Sequence, residues 1–272
     1  MTLKDVAHIF HSALRGTLTK TSLLMVLGTL FVCGTIVVFF HSFMLFAEGW
    51  WGRVFGYFPF FFVLGLLLAS EYLLVRLYVE EKAGLWGVLR RSWENMFKIS
   101  LCALPFVIVF LTLWICSGFL LLLFKVPYLG NVLSIVLFFV PFVLHQTVLL
   151  LAVLGLYVAF VVCPMFALEQ GCTLSRCFHR LKTFLFFDLL LILVACFPAW
   201  MTIKGLAVAY MLTVENASTG WLGQLTASFC MMLPCVVVLT PMCLFFVNVA
   251  VEAQLVFAQM DKTTLLESGR RH

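Results

Sequence analysis

Charge is what this chain has least of. Asp, Glu, Lys and Arg make up only 11% of its 272 residues against 64% hydrophobic, and mean hydropathy is +1.14. An ordinary soluble domain carries about 25% charged residues, so this composition excludes one. Thirty phenylalanines and seven tryptophans amount to more apolar surface than a chain of this length can hide from water without a bilayer.

Catalytic signatures are missing as well. No HExxH, GxSxG, Walker-type or dinucleotide fingerprint occurs, which removes the common routes to metalloprotease, hydrolase and nucleotide-driven chemistry. No paired carboxylates and no nucleophile with a base are visible, so a lipid-modifying enzyme ranks last among the functions considered. The net charge of +5 does not read as a nucleic-acid groove, because no water-exposed segment is long enough for an independent binding domain.

No cofactor or metal is called for. His8 and His11 lie close on one helix, but the polar face of an amphipathic segment accounts for them better than a metal site. Eight of the ten cysteines fall inside apolar runs and read as small packing residues. Cys172 and Cys177 are spaced CxxxxC, a poor match to zinc or redox pairs, so no disulfide framework is expected. The first apolar run is too long for a signal-peptide core and follows about twenty amphipathic residues, so no cleavable leader is expected.

What the chain does have is long uncharged runs. A spanning helix needs about 20 apolar residues at about 1.5 Å each, and the runs place spans near 23–46, 54–75, 99–124, 131–166, 185–203 and 222–250. The expected fold is an all-α, polytopic membrane helix bundle forming a single integral domain. The uncharged stretch from Val126 to Leu168 is read as one helix, since His145-Gln146-Thr147 contains neither Gly nor Pro to turn the chain. Gly130 and Asn131 mark its start, Pro141 allows a kink, and Pro164 marks its end. Pro234 and Pro241 predict a bent or broken last span.

Basic residues give the orientation. Fourteen Lys and Arg fall in one set of alternate connections and three (Arg53, Lys125, Lys204) in the other. The positive-inside rule then puts both termini in the cytoplasm, with the bacterial inner membrane as the expected location. Trp50, Trp51 and Trp221 fall at the outer boundary, where indoles belong. Asn216-Ala217-Ser218 falls in an outer loop and reads as a chance sequon.

Three basic amphipathic stretches, near 3–18, 85–98 and 173–184, show the i, i+3, i+4, i+7 pattern of helices lying in the membrane interface. In the first, Leu3, Val6, Ala7, Phe10, Leu14 and Leu18 form the apolar stripe. In the second, Leu85, Trp86, Leu89, Ser92, Trp93, Met96 and Phe97 do so. The second and third stretches align at an offset of 89 positions, with Glu80, Leu85, Leu89, Arg91 and Phe97 matching Glu169, Leu174, Phe178, Arg180 and Phe186. Arg90, Arg91, Arg176, Arg180 and Lys182 are the candidates for contact with anionic headgroups of the cytoplasmic leaflet.

The segment VCPMFALEQGCTLSRCFHRLKTFLF, from Val162 to Phe186, resembles a pattern in the six-span integral membrane domain associated with glycerophosphodiester phosphodiesterases, and in stand-alone bacterial membrane proteins. There a proline, an acidic residue and an Arg- or Lys-bearing amphipathic helix lie between two spans; Pro164, Glu169 and Arg180 match. The resemblance carries no catalytic residue, because the phosphodiesterase chemistry belongs to a separate soluble domain. It implies an accessory or transport-like membrane module.

Ionisable residues inside spans are the remaining candidates, since charge in hydrocarbon is costly and usually partnered or functional. Glu71, Arg76, Asp188 and Glu252 could form one network near the cytoplasmic ends of spans two, five and six, with Asp188 pairing to Arg76. His145 and Gln146 lie near mid-depth in span four and could line a polar path, although interhelical hydrogen bonding explains them more simply. The leading expectation is a transport-like or accessory module handling a lipid-like molecule. The alternative is a non-enzymatic protein that organises lipid or membrane-protein partners, or copies of itself.

Overall fold

The computed structural model describes residues 3–17, 19–46, 50–80, 85–124, 139–168, 174–214 and 221–269. They form α1 (Leu3–Gly16), α2 (Lys20–Phe46), α3 (Trp50–Val79), α4 (Leu85–Leu101), α5 (Leu104–Phe124), α6 (Val140–Tyr157), a single π turn (Val158–Val162), α7 (Cys163–Leu168), α8 (Leu174–Val214) and α9 (Trp221–Gly269). No strand occurs among the described residues. Six helical stretches are long and apolar enough to cross a bilayer: α2, α3, the α4–α5 run, the α6–π–α7 run, α8 and α9. The chain is an all-α, multi-pass membrane protein. Phe31, Ile115, Leu149 and Leu193, on four different spans, all face outward, as suits a solvent of lipid tails as apolar as leucine itself.

Two clusters of buried side chains share α9 as their common wall. One joins Val26 of α2, Leu68 and Val75 of α3, Ile99 of α4 and Cys163 of α7 to Leu244 and Val251 of α9. The other joins Ile9 and Ala13 of α1, Phe160 of the π turn and Leu191 of α8 to Val249 and Phe257 of α9. Near the far end of α2, a Cβ on Gly34 would lie 2.6 Å from the Met232 sulfur of α9. Only glycine permits that approach without moving the methionine.

Span four runs through His145-Gln146 without interruption. Pro141 stands in the first turn of α6, where its missing N–H breaks no helical hydrogen bond. It therefore interrupts no hydrogen bond within α6, and the start expected near Gly130 and Asn131 lies outside the described residues. The distortion comes later, in the π turn just before Pro164, where Cys163 donates its backbone N–H to Val158, five residues back. Proline cannot donate to the carbonyl four residues behind it and its ring crowds that carbonyl, so the helix widens there.

Other boundaries depart from the sequence expectation. The stretch near 173–184 does not lie apart from span five; both belong to the unbroken 41-residue α8, because no glycine or proline interrupts Leu174 to Phe197. Nor does α9 break at Pro234 or Pro241. Packing of Met232 and Val236 against Val38 of α2 holds the turns on both sides of Pro234, as spanning helices allow when neighbours support the freed backbone. Helix α4 ends in a tight turn, with Cys102 N–H donating to Ile99 at 2.9 Å and Ala103 N–H to Ser100 at 3.1 Å. Pro105 then opens α5. Helices α3 and α7 end at Val79 and Leu168, and α4 and α8 begin at Leu85 and Leu174, both pairs 89 positions apart.

Two of the expected interfacial helices are drawn into the bundle. Val88, Ser92 and Ile99 of α4 are buried where α4 lies along α3, and a Cβ on Gly65 of α3 would meet Ser100 at 2.8 Å. The other edge of the same stripe faces out, with Trp86 80% exposed and Trp93 and Phe97 also exposed. Helix α1 docks on α9 through Ile9 and Ala13 with Val6 and Phe10 beside them, leaving Leu14 60% exposed. Its packed face is thus rotated from the expected stripe toward the side carrying Ser12 and Thr17, which offer polar contacts to α9.

Candidate functional site

Between the spans lies a cavity of about 470 Å³, within the range of roughly 300–1,000 Å³ typical of small-molecule sites. Its walls come from α2 (Val26, Thr29, Leu30), α3 (Leu64, Leu68, Ser70, Glu71, Leu74), α5 (Phe106, Phe110) and α9 (Met242, Cys243, Phe246). The remaining wall carries small residues, Ala152 and Gly155 on α6, Ala159 in the π turn, and Ala195 and Ala199 on α8, beside Leu151 and Leu156 of α6. Spaced three or four apart, the small residues fall on one face of each helix. A Cβ on Gly155 would meet nothing within 4 Å. Leu67 and Leu156 of the lining are themselves exposed, so the cavity is not sealed.

Glu71 is the one carboxylic acid among the described lining residues. It is 6% exposed, and its Oε1 is buried with no hydrogen-bond partner. Thr29 and Ser70 complete the hydroxyls of the wall. Each has already given its proton to its own helix, Thr29 to Met25 O at 3.0 Å and Ser70 to Leu67 O at 2.8 Å.

Among the described residues, the contacts of the four acidic and basic candidates run to different partners. Arg76 pairs with Glu80 at 2.6 Å and donates to Ala167 O at 3.3 Å, so Arg76 faces α7 and not Asp188. Asp188 is buried on α8 and accepts from the Tyr157 hydroxyl at 3.3 Å. Glu252 accepts from Ser12 Oγ at 2.6 Å and from the Tyr78 hydroxyl, joining α1, α3 and α9. Glu71 alone faces the cavity. Gln146 is exposed on α6 and does not line it. The side chains of His145, Arg176, Arg180 and Lys182, and all of Glu169, lie outside the described residues. Arg90 and Arg91 are exposed on α4, with Arg90 between Trp86 and Trp93 in a shallow cleft.

Sequence reasoning missed Asn248, which donates to Ala13 O at 3.3 Å and to Thr17 Oγ1 at 3.4 Å. An asparagine inside an apolar span was the available signal. The small residues of α6 and α8 were likewise the available signal for the cavity. Among the described residues, no group of three or more His, Cys, Asp or Glu could hold a metal ion.

Fold and site together define a polytopic α-helical membrane protein with a cavity between its spans and a buried acid in the cavity wall. No known protein family, curated protein or solved structure matches the chain.

Proposed function

We propose that the protein is a non-enzymatic membrane module that takes a lipid-like molecule from the bilayer into the cavity between its spans, as part of transport or as an accessory to another membrane protein. One observation carries this reading: a cavity of about 470 Å³ with almost wholly apolar walls, two of whose lining residues, Leu67 and Leu156, are exposed. An apolar tail enters such a space from lipid without crossing water, while the polar groups of the wall orient its head. The charge asymmetry of the connections supports cytoplasmic termini and an inner-membrane location. The resemblance of Val162–Phe186 to the phosphodiesterase-associated membrane domain, and the offset of 89 positions read as an internal repeat, fit the same accessory or transport-like role.

A fatty alcohol carrying a photoactivatable group on its chain tests this on the protein in lipid nanodiscs. Labelling is expected at Ala152–Ala159 of span four and Ala195–Ala199 of α8. Gly155→Phe, which projects a ring into open space, should reduce it by about an order of magnitude if the site is a filled cavity. Labelling spread over outward residues such as Leu149 and Leu193, and unchanged in the Phe variant, would reject the reading.

A second reading, membrane organisation through anionic lipid or a partner protein, is favoured by the outer edge of α4. There Trp86, Trp93 and Phe97 are exposed beside Arg90 and Arg91. Each basic side chain near an anionic surface contributes about 1 kcal/mol. Replacing Arg90, Arg91, Arg176, Arg180 and Lys182 with Gln should therefore lower retention of anionic over neutral lipid cumulatively, as measured by native mass spectrometry. Unchanged retention would exclude lipid selectivity at this surface.

A further inference from the structure

We infer that the molecule held in the cavity is an amphiphile with a cationic amine head, bound by Glu71; this rests on reading the cavity as a site for a lipid-like molecule. The inference comes from which hydrogen-bonding groups the wall leaves free. Glu71 Oε1 is buried and unpartnered, and no Lys, Arg or His is among the described lining residues. The nearest basic group on the same helix, Arg76, is already bound to Glu80 and to the Ala167 carbonyl. Thr29 and Ser70 have donated their hydroxyl protons to Met25 and Leu67, so toward the cavity they offer lone pairs only.

With Glu71 ionised, the polar part of the wall is a set of oxygen acceptors with no oxygen- or nitrogen-based donor to match. A carboxylate left alone in such surroundings is strongly unfavourable and is relieved either by taking up a proton or by meeting a cationic group; a cationic ligand head supplies the second. A primary ammonium supplies one positive charge and three donors. A fatty acid or phosphate head would set like charge against Glu71, and a neutral alcohol brings one donor and no charge. The rest of the cavity has room only for apolar groups, which sets the ligand's other end as an alkyl or terpenoid tail.

The test measures binding of tritiated tetradecylamine and tritiated tetradecanol to the full-length protein in nanodiscs, each corrected for uptake by empty nanodiscs. The wild type should bind the amine about tenfold to a hundredfold more tightly than the alcohol, the scale of a charge-assisted hydrogen bond. Glu71→Gln should remove that preference by weakening the amine alone. Gly155→Phe should weaken both. Equal binding of the two probes by the wild type, or amine binding unchanged in Glu71→Gln while Gly155→Phe still blocks both, overturns the amine inference and leaves the cavity reading intact. Failure of both probes to bind above empty nanodiscs, or indifference of both to Gly155→Phe, overturns the cavity reading and the inference with it. Should Glu71→Gln not fold, the wild-type comparison decides alone, and Glu71→Asp, which keeps the charge, should retain the preference for the amine.

Discussion

At the scale of single residues, the polar groups of this bundle divide by whether their hydrogen bonds are closed. Glu252 belongs to the closed kind: Ser12 and Tyr78 both donate to it, so three helices meet at one carboxylate. Hydrogen bonds to a charged group contribute about 1.5–3 kcal/mol, and removing the acceptor leaves buried donors unsatisfied. Thermal unfolding in detergent should show Ser12→Ala losing about 1.5–3 kcal/mol and Glu252→Ala losing more than that single bond. A Ser12/Glu252 double-mutant cycle should return a coupling of at least about 0.5 kcal/mol; strictly additive losses would remove this contact from the account. Gln146, exposed on α6, should change stability by no more than about 0.5 kcal/mol when replaced by Ala, as surface positions do. Glu71 is of the open kind, with Oε1 buried and unpartnered.

At the scale of elements, α1 gives the clearest test, because a helix lying on lipid and one docked in a bundle make different demands on its backbone. With Ile9 and Ala13 fully buried against α9, the α1 amides should exchange with solvent about as slowly as those of residues 244–254. Ile9→Asp should release them and lower the melting temperature. Fast exchange in the unaltered protein would show that α1 is not held. How far these elements were legible follows from what periodicity measures. Uncharged length pointed to six apolar helical stretches, the number the fold has among the described residues, since lipid sets the same requirement on every span. Amphipathic period showed that α1 and α4 each have an apolar stripe but not what covers it, and a neighbouring helix satisfies a stripe as well as lipid does. Span four passes His145-Gln146 unbroken because nothing there stops a helix, and α8 runs on from Leu174 for the same reason. The cavity was not legible, because it arises where small residues from separate helices meet. Glu71 could be picked out as costly, yet its isolation from Arg76 depends on Arg76 turning to Glu80.

For the whole molecule, the lengths of the helices exceed what a bilayer requires. Helix α8 has 41 residues and α9 has 49, about 60 and 74 Å at helical rise, against about 30 Å of hydrocarbon. Both are longer than a span needs, and the orientation proposed from the basic count puts the carboxyl end of α9 on the cytoplasmic side. Reporter fusions after Arg91, Lys182 and Arg271 should report inside, and those after Lys125 and Asn216 outside; an inside signal at Asn216 would reject six spans with this orientation. The π turn of span four has a consequence at this scale. A π turn is an α-helix carrying one residue too many, and that residue turns everything before it by about 100° relative to everything after it. Gly155 and Ala152 precede the turn, whereas Cys163 and Ala167 follow it and are anchored in the core with α3. Deleting one residue within Val158–Val162 would return the helix to ordinary pitch and swing the small-residue wall away from the cavity, putting the bulkier Leu154 in the place of Gly155. The width of the pocket is thus geared to a single extra amino acid, and a one-codon deletion would shut it while every span stayed in the membrane.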